Sequence, residues 1–172
     1  MTGNVILKTI ASAAVIIASV SVLAEPVGQT ISHAGSRSPF DGPEQYFSGK
    51  ASVEPLFPGT DAINASGAYV TFDAGARSAW HTHPKGQHII VMDGEGLTQQ
   101  WGKPVQQIKP GDVVWCPPGV KHWHGATPDS AMTHLVVTGQ DSEGNNVTWM
   151  EKVSDSQYSS PLNRQNPNKP EN

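Results

Sequence analysis

The 172 residues carry 11 Lys and Arg against 15 Asp and Glu, a formal charge of −4. That length fits one domain with a real hydrophobic core, and mild acidity without a basic cluster excludes a nucleic-acid-binding surface. Seventeen Gly and 14 Pro ask for many short elements joined by tight turns, which favours an all-β domain over a helical bundle.

In chain order, residues 1–24 read as a signal peptide. Lys8 precedes an apolar run from Ile10 to Leu23, and the run closes on Val22-Leu23-Ala24 before Glu25-Pro26. Small residues at the last and third-last positions are those a signal peptidase accepts. The run is shorter than the ~20 residues that span a bilayer. The expectation is cleavage after Ala24, a periplasmic or secreted mature chain, and no stable membrane insertion after cleavage.

Residues 25–48 are rich in Gly, Pro and Ser and read as an irregular N-terminal arm. From there to 153, short apolar or alternating runs are each bounded by Gly, Pro, Asp or Asn. They are Val53–Phe57, Ala68–Phe72, Ile89–Met92, Leu97–Trp101, Val113–Cys116, Ala131–Thr138 and Val147–Met150. Such spacing predicts an all-β barrel or sandwich over 49–153. The polar stretch 154–172 reads as a disordered tail. Cys116, the sole cysteine, allows no internal disulfide and sits in an apolar run, as a buried small hydrophobe does.

Six of the seven histidines fall between positions 81 and 134. His81-Thr82-His83 and His122-Trp123-His124 each place two imidazoles on one face of a strand, and alternation aims His134 inward with Val136. Clustered imidazoles in an apolar interior are costly as cations, and a bound metal relieves that cost. Trp80 and Trp123 alternate with the histidines and should face away from the lumen.

Two spacings carry a resemblance. Gly75-x5-His81-x-His83-x3-Gln87-x6-Gly94 resembles the first cupin motif, and Gly111-x5-Pro117-x-Gly119-x2-His122 resembles the second. The resemblance implies a single cupin barrel (double-stranded β-helix, or jelly-roll). Its metal ligands would be His81, His83, Gln87 and His122, with Gln87 where the family usually has glutamate. His88 is the rival to Gln87, but the interval to Gly94 and strand alternation favour Gln87.

The stretch from Gly75 to Tyr158 is also similar to small single-domain cupins that include bacterial manganese-dependent hydroxynitrile lyases. The shared runs are Ala76-RSAWHTHPKGQ and Lys109-PGDVVWCPPGVKHWHGATPDSAMTH. By that resemblance His124 and His134 are catalytic candidates, and Ala68, Val70 and Thr138 lie near the open coordination position. One divalent transition metal per chain is implied, manganese first, with Fe, Zn, Ni or Co compatible with such donors.

A neutral Gln87 in place of a carboxylate leaves the site more positive, which favours Lewis-acid lyase chemistry over oxidation of the metal. A metal-dependent oxygenase and a non-catalytic ligand-binding or metal-binding cupin stay open at this point. The expected partners are a small-molecule substrate and further copies of the chain, a dimer or tetramer paired through the edge strand Val53–Phe57.

Overall fold

The computed structural model describes residues 28–160, so the signal peptide expected over 1–24 lies outside the described residues, as do 25–27 and 161–172. The barrel belongs to the compact unit that begins at Ser32. Among the described residues no helix is long and apolar enough to cross a membrane.

Among the described residues, thirteen strands and one helical turn follow in order. They are β1 (Phe40–Asp41), β2 (Phe47–Ser48), β3 (Ala51–Phe57), β4 (Ala65–Phe72), β5 (Arg77–Ser78), β6 (His81–Thr82) and β7 (Gln87–Gly94). Then come β8 (Gly96–Gln100), β9 (Gln106–Ile108), β10 (Val113–Cys116), β11 (His122–Ala126), β12 (Met132–Gly139), β13 (Thr148–Trp149) and α1 (Asp155–Tyr158). The first sheet runs β1-β3-β4-β12-β7-β10. The second runs β13-β6-β11-β5-β2, with β8 paired to β11 and β9. The fold is all-β, as composition and turn spacing predicted.

One core lies between the sheets, built on Phe72, Ile89, Val91, Ala126 and Met132. A second packs behind β11, where Trp80, Leu97, Val105, Trp123 and Val153 meet Tyr158. Trp80 and Trp123 do point away from the lumen, yet they are buried, because the chain end folds over them.

Two segments differ from their sequence reading. The arm 25–48 was expected to be irregular, but it supplies β1 and β2 and sends Phe47 into the main core. The polar tail begins not as disordered chain but as α1, whose Ser154 side chain caps Gln157 while Gln157 reaches back to Ser154. That reciprocal box satisfies backbone groups that an isolated turn would leave open.

The proposed edge strand is also partly covered, since β1 pairs through Phe40↔Val53 and Asp41↔Ser52. One turn matters for the site. Gly86 has φ +80°, and a Cβ there would meet the Trp115 ring at 2.4 Å and the Cys116 carbonyl at 2.8 Å. Only glycine lets Pro84-Lys85-Gly86 turn tightly enough to launch Gln87 into β7.

Candidate metal centre

The site is made where short strands meet. On β11, His122 lies opposite His81 of β6, and His81 lies opposite Trp149 of β13. His83 follows β6 directly, held where its carbonyl accepts from Gly119 N–H at 2.9 Å. These pairings bring His81, His83 and His122 together, with one ring nitrogen from each inside a 4.8 Å span.

Each imidazole is oriented by a backbone carbonyl. His81 Nδ1 meets Ala79 O at 2.9 Å, His83 Nδ1 meets Asn146 O at 2.5 Å, and His122 Nδ1 meets Val120 O at 2.9 Å. A carbonyl only accepts, so Nδ1 carries the proton in all three and Nε2 presents its lone pair. Nε2 of His83 and of His122 is buried without a partner. Gln87 repeats the device: its Nε2 donates to Thr138 Oγ1 at 3.0 Å, which leaves Oε1 buried and unpartnered.

Unpaired buried acceptors converging on one point cost free energy unless something positive sits among them. Three imidazole nitrogens and one amide oxygen fit a divalent transition ion. The residues present therefore suit the divalent metal that the resemblance implied. His88, the rival to Gln87, points outward and packs on Trp115 with ring centroids 4.6 Å apart.

Burial dominates the electrostatics. It holds His81 well below the ordinary histidine value, with the charges of His122 and His83 adding to the effect. It lowers His83 and pushes His122 down to about 4. His124 is held well below its usual value by burial and then by His134 and the other three imidazoles. Burial alone pushes His134 down to about 3. All five rings are neutral near pH 7, the form that binds a metal or accepts a proton.

A cavity of about 350 Å³ opens beside the ligands. His81, His83, Gln87 and His124 form its polar floor, and Ala68, Val70, Val136 and Trp149 form apolar wall. Ala68, Val70 and Thr138 line it together. His134 does not line it. Its ring lies 4.8 Å from His124 and stacks on Phe72 at 5.6 Å, with both nitrogens buried and unpartnered.

Sequence reasoning missed several lining residues. Tyr46 stacks on Trp149 at 4.6 Å to close one wall. Ser78 accepts the His124 backbone N–H at 3.2 Å, and Asn146 orients His83. None sits at a telling spacing from a ligand, so only the strand pairing reveals them. Cys116 is buried, and burial pushes its thiol up to about 12. It packs in the main core, apart from the three clustered imidazoles.

Residues 68–138 match the family described as Cupin domain. The chain is 50% identical over 128 residues, 74% of its own length and 97% of the relative's, to an (R)-mandelonitrile lyase of Granulicella tundricola. The chain belongs to the cupin family. This cupin is also similar to a solved cupin-like protein of Thermotoga maritima, at 36% identity and TM-score 0.64, covering 76% of this chain and 95% of that one. Its fold is shared with a polyketide cyclase of Streptomyces resistomycificus at 16% identity and TM-score 0.60, over 76% of this cupin and 91% of the cyclase.

Proposed function

We propose that this cupin is a metal-dependent lyase of the hydroxynitrile type, acting on aryl cyanohydrins such as mandelonitrile. The observation that carries the reading is a histidine in excess of the ligand set: His124 lines the cavity beside His81, and its Nδ1 is buried without a partner. Similarity to a mandelonitrile lyase along 97% of that protein supports it.

His81, His83, Gln87 and His122 would hold the ion. Bound there, manganese or another divalent ion supplies a Lewis acid for the substrate oxygen. The apolar wall of Val70, Val136 and Trp149 receives the aryl ring and excludes water. Neutral His124 takes the hydroxyl proton. The C–C bond then breaks, its electron pair leaves with cyanide, and the hydroxyl oxygen becomes the aldehyde carbonyl. The proton on His124 passes to cyanide, so the products are aldehyde and HCN. His134 meets the substrate only through His124 and would orient that ring.

Manganese-loaded protein should release benzaldehyde from mandelonitrile, and metal-stripped protein should not. His124→Ala should lose ~100-fold or more in rate while keeping its metal, the scale of a lost acid–base group. Oxygen uptake by the iron form with mandelonitrile untouched would replace the lyase by an oxygenase. Inactivity with every metal tried would favour a ligand-binding role.

A further inference from the structure

The three clustered imidazoles differ in how their rings are held. His81 and His122 each donate to the carbonyl two residues earlier in the chain, Ala79 and Val120, so forming the local strand is enough to aim them. His83 follows β6 rather than lying in it, and its Nδ1 donates to Asn146 O, 63 residues on. The direction of its unpartnered Nε2 therefore depends on the segment between β12 and β13.

Residues 140–147 of that segment form neither strand nor helix, and side-chain hydrogen bonds replace a ladder. Asp141 Oδ1 accepts the backbone N–H of Glu143 and of Asn145, both at 2.9 Å, and its Oδ2 accepts Asn145 Nδ2 at 3.2 Å. Asp141 N–H donates in turn to Asn145 O at 2.9 Å, while Gly144 reverses the chain at φ +83°. These donors, the Asn145 N–H foremost, hold the Asp141 carboxyl below its ordinary value, so it is an acceptor at neutral pH.

Two ties fasten the turn to the barrel. Gln140 N–H donates to Asn64 O at 3.1 Å, and Asn64 Nδ2 donates back to Gln140 O at 2.9 Å. At the other end, Asn146 Nδ2 donates at 3.2 Å to Ser66 Oγ on β4. Asn146 and Ser66 also line the cavity.

We infer that the 140–147 loop braces the metal centre, with Asp141 and Asn146 as positioning residues that fix the direction of His83 Nε2. The inference rests on His83 as a ligand and not on the reaction. Asp141 keeps the turn closed, the turn delivers Asn146, and Ser66 stops Asn146 from swinging away. A surface loop without such ties opens locally, and an opened loop takes the Asn146 carbonyl from His83. The imidazole then turns freely, and ordering it must be repeated each time an ion binds.

Calorimetric titration of the metal-free full chain with manganese tests this. Asp141→Ala should weaken the affinity ~10-fold or more, the scale on which groups that orient a ligand act. Asn146→Ala, which drops the tie to Ser66, should weaken it too, and adding Ser66→Ala should cost little more because the two changes remove one bond. Asp141→Asn keeps an Oδ1 for both backbone N–H groups and should bind close to wild type. Urea midpoints without metal should stay at the wild-type value, because the loop lies outside both cores; a general loss of structure would move them. If Asp141→Ala does not fold, Asn146→Ala decides the matter. Wild-type affinity in both variants, with binding lost in His83→Ala, overturns the brace and leaves the ligand set standing. Binding that survives His83→Ala overturns both. No turnover is read, so neither outcome bears on the lyase reading.

Discussion

Gln87 and His88 show how far one residue's placement can be argued. Interval and alternation chose Gln87, and the register agrees, setting Gln87 opposite Cys116 on the buried side and His88 opposite Trp115 outside. The histidines carry a consequence for pH. Among the described residues the buried polar side chains include no carboxylate, so nothing in the interior offsets a protonated imidazole. The lowered values mean that the unfolded chain binds protons at pH 6 that the folded, metal-free chain does not. Stability therefore rises with pH between about 4, the His122 value, and the ordinary 6.5. Each histidine contributes at most about 1.4 kcal/mol per pH unit within its own window. Urea midpoints of metal-free protein should fall steadily from pH 7 to pH 5, and a flat profile would contradict the neutral, buried assignment.

Elements built on local pattern were legible and those built on distant pairing were not. The apolar run Val113–Cys116 has the same bounds as β10. By contrast β5 and β6 are two residues each, too short for any period, and exist because β11 lies beside them. The chain end is a similar case. Ser154-x-x-Gln157 is a capping signature within a polar stretch, and its helix persists because β5 anchors it.

That anchor is Arg77. Its guanidinium donates to Val153 O at 3.1 Å, meets Asp155 at 2.5 Å and lies 4.6 Å over the Tyr158 ring. Asp155 is 98% exposed, so solvent screens the ion pair and Asp155→Ala should cost under ~1 kcal/mol. Arg77→Ala strands a buried carbonyl and strips packing from Tyr158, and should cost ~2–3 kcal/mol. Tyr158→Phe loses the bond to Ala126 O at 2.8 Å and should cost about 1 kcal/mol. Denaturant midpoints would rank the three, and a dominant Asp155 effect would refute the screening argument.

At the scale of the whole molecule, metal and fold should be linked. The four proposed donors come from β6, the segment after it, β7 and β11, so an ion held by all of them would bind the folded chain alone. Free manganese at 100 times its dissociation constant should then add ~2.7 kcal/mol of stability. A thermal melt would register this as a higher Tm at one ion per chain. His81→Ala or His122→Ala should abolish the shift, and Cys116→Ser should leave it. A shift that survives both histidine changes would place the ion elsewhere.

What the sequence determined by itself is local. His81, His83 and Gln87 fall within seven residues, and alternation with a glycine turn is enough to say that they share a side. The lumen-facing parity of His122, His124 and His134 follows from the same rule. Which neighbour each side chain meets was decided only by the tertiary structure. His122 reaches His81 through strand register, and the carbonyl that orients His83 belongs to Asn146, 63 residues on. The cavity wall needs Tyr46 from the arm stacked on Trp149 from the last strand. Period-2 alternation names the face of a strand. Closing the barrel chooses the partner, because that choice minimises the free energy of all the strands together.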